Sequence, residues 1–176
     1  MQIKSQAGLA PVGARLRAFL WDYLIIAGYL VLLSGLSSVA RSHLAGWFSA
    51  GPVRAELAGF ALLTLPVLLY FAICEGRGAH ATWGKRKCGL AVVRAGGGDI
   101  GLGRSLLRSA LKFLPWELAH FTVWRMALPS NTPAAVIYAL LGVVYGLVLL
   151  YLLSPYTNRG RRTVYDLLSG TAVVRR

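Results

Sequence analysis

Three long stretches without a charged residue constrain this chain more than any other feature. They cover residues 23–40, 57–74 and 126–158. A helix needs about 20 mainly apolar residues to cross the hydrocarbon layer of a membrane. Only 14% of the residues are charged, against about 25% in soluble proteins. The sequence therefore predicts an integral membrane protein with a single domain over residues 1–176, whose first apolar stretch is retained rather than cleaved as a signal peptide.

A fourth span is less apolar, and the distribution of basic residues favours it. The segment carries four polar residues that are costly in a bilayer: Arg108, Lys112, Glu117 and His120. If it crosses, only three of the 19 Lys and Arg residues lie outside: Arg41, Arg54 and Arg125. Without this span, the Lys and Arg residues would be divided far more evenly between the two sides of the membrane. Basic residues of membrane proteins collect in cytoplasmic loops, so the arrangement with four spans is favoured. We predict a multi-pass inner-membrane protein with both termini in the cytoplasm and spans at about residues 16–40, 57–75, 113–128 and 134–153.

Two prolines are expected to disturb helices. Pro66 lies inside the second span, where it should kink the helix and free a backbone carbonyl. Arg104, Arg108 and Lys112 recur every four residues and so form one stripe on a helix, which Pro115 then breaks. We expect an amphipathic helix over residues 102–114 on the cytoplasmic side, leading into a short or tilted membrane segment.

Two short runs on the cytoplasmic side resemble each other: GLAVVR at residues 89–94 and GTAVVR at residues 170–175. Both are β-branched runs led by glycine, and neither can be stable as an unpaired strand. We predict that they pair, with a turn at residues 96–99 after the first; the alternative is two unrelated loop ends. The predicted fold class is thus an all-α membrane protein: a four-helix transmembrane bundle with an amphipathic cytoplasmic-side helix and a short two-stranded cytoplasmic sheet.

Three further motifs follow one another along the chain: RLRAFLWD at residues 15–22, TWGKRKCGLAVV at residues 82–93 and RTVYDLLSGTAVV at residues 162–174. Together they resemble the RDD family, which is named for one arginine and two aspartates. The second resembles the family's loop motif through Thr82, Gly84, Lys85 and Gly89, although Lys87 and Cys88 stand where apolar residues are usual. The resemblance covers nearly the whole chain in order. It implies a membrane protein for which transport is the usual suggestion, since some members resemble cation/proton antiporters.

The motif residues predict ion pairs. Asp22 lies inside the first span, where an unpaired carboxylate is strongly disfavoured. Our hypothesis is that Asp22 pairs with Arg108 or a neighbour on the same stripe, while Arg15 meets Asp166 at the cytoplasmic interface. Alternatively, Arg15 extends to lipid phosphate and Asp166 is an N-cap or turn residue in a solvated loop. We favour a structural ion pair for Asp22 over a transport residue.

Glu117 and His120 lie three residues apart on one helical face. An intramembrane glutamate beside a histidine could relay protons, and a transport site would then combine Asp22, Glu117 and His120. The alternative, which we favour, is that both residues line a polar seam between helices or touch water. Glu75 is interpreted as an interfacial residue that balances Arg77.

The leading function is a small membrane transporter, with cations and protons as substrates and a homo-oligomer as the working unit. The alternative is a non-transporting assembly or scaffold protein whose basic cytoplasmic face binds proteins or anionic lipid headgroups. The sequence predicts no enzymatic activity, cofactor, metal site or nucleic-acid partner, and the two cysteines are expected to be free thiols. The G-x-x-x-G of residues 142–146 is expected to support helix packing within one protomer rather than dimerisation.

Overall fold

The computed structural model describes residues 8–176. Its elements, in chain order, are α1 (Val12–Val39), α2 (Arg41–Ser49), α3 (Pro52–Gly59), α4 (Leu65–Gly76), α5 (Trp83–Lys87), β1 (Leu90–Arg94), α6 (Leu102–Ala127), α7 (Ala134–Thr157), α8 (Val164–Leu168) and β2 (Thr171–Arg175). A π-helical turn, Phe60–Thr64, joins α3 to α4, so that Pro52–Gly76 is one continuous helix of 25 residues.

Three helices are long and apolar enough to cross a membrane: Val12–Val39, Pro52–Gly76 and Ala134–Thr157. Most of their large apolar side chains point outward and are exposed, as expected when lipid rather than water surrounds the helices. The predicted spans at residues 16–40, 57–75 and 134–153 fall within these helices to within one residue. The 26-residue α6 covers all but the last residue of the predicted fourth span, residues 113–128, but its charged residues keep it out of this apolar group.

The prediction that Pro115 breaks its helix is wrong, because α6 runs without interruption from Leu102 to Ala127. A proline at position 115 leaves the carbonyl of Leu111, four residues earlier, without its helical N–H partner. The hydroxyl of Tyr151 on α7 donates a hydrogen bond to this carbonyl at 2.7 Å. A side chain from the neighbouring helix thus supplies the missing donor, and the helix continues.

The same arrangement occurs at Pro66. Its missing N–H leaves the carbonyl of Leu62 free, as the sequence predicted, and the hydroxyl of Tyr29 on α1 donates to that carbonyl at 2.5 Å. The π-helical turn ends two residues before this proline, which is a usual place for a helix to deform. In both cases a tyrosine from another helix satisfies a carbonyl that lipid could not.

The predicted strand pair is confirmed. β1 and β2 form a two-stranded antiparallel sheet in which Val92 is opposite Val173, and a turn follows β1, with the N–H of Gly97 donating to the carbonyl of Arg94. The chain before α1 covers the outer edge of β2, where Leu9 forms a bridge with Val174. The sheet edge is therefore paired rather than open.

The two strands belong to a longer internal repeat. The first unit, residues 77–94, and the second unit, residues 158–175, match at a constant offset of 81 residues: each follows a long helix, then contains a five-residue helix, a glycine and a strand. Even the unusual backbone angles recur. Gly89 and Gly170 both have φ of 62°, while His80 and Arg161 have φ of 49° and 46°. Since Val92 and its equivalent Val173 pair with each other, a local two-fold axis passes through the sheet.

The glycines of the G-x-x-x-G motif do not pack inside the protomer. A side chain at Gly142 or Gly146 would meet no atom within 4 Å. The expectation that these glycines support packing within one protomer is therefore wrong, because in the described part of the chain no other helix covers the face of α7 on which they lie.

Candidate functional site

A group of charged side chains lies between the two units and the adjoining parts of α1, α4 and α6. Asp22, Glu75 and Asp166 are 0% exposed, and Arg108 is 2% exposed. Charges taken this far out of water are strongly destabilising unless partners with good geometry surround them. The arrangement of these partners defines the candidate site.

Arg108 on α6 lies at the centre and joins two carboxylates. Its guanidinium contacts Glu75 of α4 through Nη1, and its Nη2 lies 2.9 Å from Oδ1 of Asp166 in α8. Lys85 of α5 binds the other oxygen of Glu75 at 2.7 Å, and Arg15 of α1 binds Oδ2 of Asp166 at 3.1 Å. We call these five residues the ion-pair chain. The predicted contact between Arg15 and Asp166 is present.

Asp166 has a second structural function at the start of α8. Its carboxylate accepts a hydrogen bond from the backbone N–H of Thr163, which completes a capping box and satisfies a helical N–H that would otherwise lack a partner. Burial alone would raise the pKa of this carboxyl, but the guanidinium groups of Arg108 and Arg15 bring the pKa below its usual value. Asp166 therefore remains a carboxylate over the physiological pH range.

The prediction that Asp22 pairs with Arg108 or a neighbour on the same stripe is wrong, because Asp22 forms no ion pair within residues 8–176. Asp22 instead accepts three hydrogen bonds from uncharged donors: the hydroxyl of Thr82 at 2.6 Å, the N–H of Gly84 at 2.7 Å and the hydroxyl of Tyr70 at 3.0 Å. The physical reason is the packing of α1, which lies against the N-terminus of α5, whereas Arg108 points from α6 towards α4 and α8. Free N–H groups and the positive end of a helix stabilise a carboxylate without a cation.

Gly84 makes this contact possible. A Cβ at this position would collide with the carbonyl oxygen of Ala18 and would lie 2.8 Å from the backbone nitrogen of Asp22. The other residues of the loop motif have equally local functions: Thr82 caps α5, Lys85 enters the ion-pair chain, and Gly89 adopts a left-handed φ before β1. The loop motif thus holds α1, α4 and the sheet together.

The three residues of the basic stripe have different environments. Arg108 is buried in the ion-pair chain, whereas Arg104 is exposed and its guanidinium is 3.5 Å from the carbonyl of Gly170. The ammonium of Lys112 lies 3.3 Å from the centre of the Phe71 ring, so that a cation–π contact partly replaces its lost hydration. The three residues lie on one face of the helix, but each contacts a different partner.

Glu117 and His120 form a separate polar group on α6. The hydroxyl of Thr64, the last residue of the π-helical turn, donates to Oε2 of Glu117 at 2.6 Å. His120 Nδ1 is 4.0 Å from the same oxygen. The side chain of His120 is 21% exposed and that of Glu117 is 25% exposed. Asp22 makes none of these contacts. Within residues 8–176, no group of three or more His, Cys, Asp or Glu side chains could hold a metal ion.

Sequence reasoning missed three residues of these groups. Glu75 was interpreted as an interfacial residue balancing Arg77, but it is fully buried between Lys85 and Arg108. Tyr70 and Thr64 have no sequence signal at all, because a tyrosine near a helix end and a threonine in a span are common in membrane proteins. For Glu75, a carboxylate at the end of an apolar span looks the same whether it faces headgroups or the bundle.

Comparison with known families agrees with this geometry. The model of the RDD family matches residues 9–170, a range that contains the ion-pair chain, the Asp22 contacts and the loop motif. Comparison with curated proteins and with solved structures gave no match. The family and the three apolar helices both agree with a membrane location. The chain belongs to the RDD family.

Proposed function

We propose that this protein is a membrane transporter that exchanges a small monovalent cation for protons, and that Glu117 binds the two in turn. One observation carries this proposal: Glu117 has no Lys or Arg partner within residues 8–176, and its nearest basic group is His120 at 4.0 Å. A carboxylate at membrane depth requires neutralisation. A proton or a bound cation would supply it.

The surroundings of Glu117 support this function. Thr64 is the middle residue of the helix Pro52–Gly76 and lies roughly 18 Å from its end at a rise of about 1.5 Å per residue, which corresponds to the centre of a bilayer. It is also part of a π-helical turn, a feature that is frequent at functional sites. The ring of His120 lies beside this carboxylate, with Nδ1 4.0 Å from Oε2 of Glu117. Asp22, by contrast, accepts three hydrogen bonds from donors at fixed positions.

The proposal includes α6 as the fourth span, with both termini in the cytoplasm and a homo-oligomer as the working unit. The excess of arginine near the sheet supports this orientation. Transporters are often built from internal repeats, and each of the two units of this chain follows an apolar helix long enough to span a membrane. Four spans leave little room for a closed path through one protomer, which favours an oligomer.

The test is flux in proteoliposomes that contain a trapped pH indicator and carry an imposed proton gradient. We expect addition of Na⁺ or K⁺ to dissipate the gradient, and we expect Glu117→Gln to reduce this flux at least about tenfold. The control is Glu56→Gln, because Glu56 has a similar exposure of 21% but binds Arg125 at 2.8 Å. Equal flux in both variants would exclude Glu117 as the exchanging group.

A second function is favoured by a different observation, namely that the ion-pair chain is closed and its carboxylates are fully buried. Such an interior is typical of a structural network, and it agrees with a non-transporting assembly protein that uses its basic cytoplasmic face. Absence of Na⁺, K⁺ and H⁺ flux from a well-folded wild-type protein at every pH tested would favour this function over transport.

A further inference from the structure

The chain has far more basic than acidic side chains, and the acidic ones are all engaged elsewhere. There are 19 Lys and Arg residues but only six Asp and Glu residues. The structure gives each acidic residue a polar contact away from the turn that follows α7. Arg159 and Arg161 in this turn therefore have no carboxylate partner within residues 8–176, and any counter-anion must come from another molecule.

These two arginines line a recess of about 550 Å³ between the end of α7 and the start of α1. The other lining residues are Val12, Pro155, Tyr156 and Asn158. Asn158 fixes the turn, since its side chain accepts a hydrogen bond from the N–H of Arg162 at 2.9 Å and donates to the carbonyl of the same residue at 2.7 Å. The arginines are thus attached to an ordered turn rather than to a loose loop.

The two units differ in the charges that surround this turn. In the first unit the equivalent of Arg161 is His80, which has nearly the same left-handed φ. The ring of His80 lies 3.2 Å from the carboxylate of Asp99. Asp99 itself lies outside the repeated residues, and within residues 8–176 no carboxylate pairs with Arg161 in this way. The first turn of α1, which borders the recess, also has no acidic residue and no side-chain cap, so that its N–H groups add to the positive potential.

Apolar surface continues from the recess along both helices. On α7 the side chains just before the turn are well exposed: Leu152 is 62% and Leu153 is 58% exposed. On α1, Leu16 is 59% exposed, one turn beyond Val12. Tyr156, which is 72% exposed, stands where the apolar surface meets the arginines, a position typical of tyrosine at a membrane interface. A positive recess above two apolar faces fits an amphiphile better than a soluble anion.

We propose that this recess binds the phosphate group of an anionic phospholipid, whose acyl chains lie along the exposed faces of α7 and α1. Arg159 and Arg161 would contact the phosphate oxygens, since guanidinium groups match phosphate geometry. The inference does not depend on transport, because it uses none of the contacts of Glu117.

The test is lipid binding to the purified full-length protein in detergent, measured by native mass spectrometry during titration with a phosphatidylglycerol. We expect a bound lipid in the wild type. The double variant Arg159→Gln/Arg161→Gln should weaken its binding about tenfold or more, since one arginine near an anionic surface contributes roughly a factor of five. The matched control is Arg94→Gln/Arg175→Gln, which removes the same charge from two exposed strand ends outside the recess. It should weaken binding less than about twofold.

Three outcomes would overturn the proposal. Equal weakening in the two double variants would show that only overall charge matters. Equal affinity for a phosphatidylcholine would show that the arginines do not select an anionic headgroup. Displacement of the lipid by inorganic phosphate at the same concentration would assign the recess to a soluble phosphate instead of a lipid.

Discussion

The two units of the internal repeat have the same backbone path but opposite charges at one position. The third residue of the short helix is Lys85 in the first unit and Asp166 in the second, and both side chains point into the same buried group. Identical charges there would repel across the two-fold axis. The difference shows how a repeated backbone accommodates one asymmetric network: equivalent positions carry complementary charges that Glu75 and Arg108 connect.

The preceding position differs as well. Gly84 in the first unit lets α1 approach until its backbone touches α5, whereas the equivalent Tyr165 keeps its side chain. The Tyr165 ring lies 5.1 Å from the Arg108 guanidinium and 5.3 Å from the Tyr151 ring. Both units join the ion-pair chain, but the first unit is also anchored to α1 by backbone contact and hydrogen bonds to Asp22, and the second by aromatic packing. The following predictions, from the largest effect to the smallest, test this contrast.

Arg108→Met should have the largest effect, because it breaks the link between the two units. It leaves Asp166 with only Arg15 and Glu75 with only Lys85, and loss of one partner from a buried ion pair costs about 3–5 kcal/mol. The midpoint of thermal unfolding in detergent should fall on the order of 10 °C. Arg104→Met, one turn away and exposed, is the control. Similar midpoints for the two variants would mean that the link does not hold the units together.

Gly84→Ala should destabilise the first unit by about 1–3 kcal/mol, because the new methyl group meets the backbone of α1. Gly103→Ala is the control, since a side chain there meets no atom within 4 Å. Thermal unfolding of the two variants measures the difference. If Gly84→Ala unfolds like Gly103→Ala, α1 is not as close to α5 as described.

Asp22→Asn tests whether hydrogen bonds alone anchor α1 to the first unit. Asparagine offers one acceptor oxygen where the carboxylate offers two, so either Thr82 or Gly84 loses its acceptor; a buried unsatisfied donor costs about 1–3 kcal/mol. Asp99→Asn, at a side chain that is 66% exposed, should leave the unfolding midpoint unchanged. Unaltered stability in Asp22→Asn would refute the structural role of this residue.

Gly89→Ala and Gly170→Ala should have equal and smaller effects, since both glycines have φ of 62°. A left-handed backbone costs a residue with a Cβ about 1 kcal/mol. The side chain at residue 170 would also approach Arg104, but that guanidinium is exposed and can move. Unfolding midpoints that differ between the two variants would show that the repeat is less regular than the backbone angles indicate.

The smallest effect should appear on acidification. Because the folded-state pKa of Asp166 lies below its unfolded value, its contribution is fully present above the unfolded pKa, near 4, and is lost as pH falls through the lower folded pKa. Thermal unfolding between pH 6 and 3 should thus show a loss of stability only at the acidic end. In Asp166→Asn this part of the pH dependence should be absent, and its persistence would assign it to another carboxyl.

The sequence predicted the features that depend on local pattern. Apolar length identified the three spans, and the matching runs led by Gly89 and Gly170 identified the strand pair. The partners of Asp22 were not predictable in the same way, because a helix N-terminus stabilises a carboxylate without leaving a charge in the sequence. The role of Glu75 depends on how α4 packs on α6, which no spacing within α4 reveals.

The repeat itself was only partly recognised. The two strands have similar sequences. The turns that precede them have similar backbone angles at His80 and Arg161, but their residue types differ. Pro115 failed as a helix breaker for a related reason, because its effect depends on Tyr151, a residue 36 positions later in the chain. Local rules apply where a helix is alone and fail where a neighbour supplies the missing donor.

The two tyrosine hydroxyls that bind the carbonyls left free by Pro66 and Pro115 have an evolutionary consequence. Each proline is tolerable only while its tyrosine is present, and each hydroxyl is needed only while its proline is. In other members of the family, the residues equivalent to Tyr29 and Pro66 should therefore be either both present or both replaced. The same should hold for the residues equivalent to Tyr151 and Pro115.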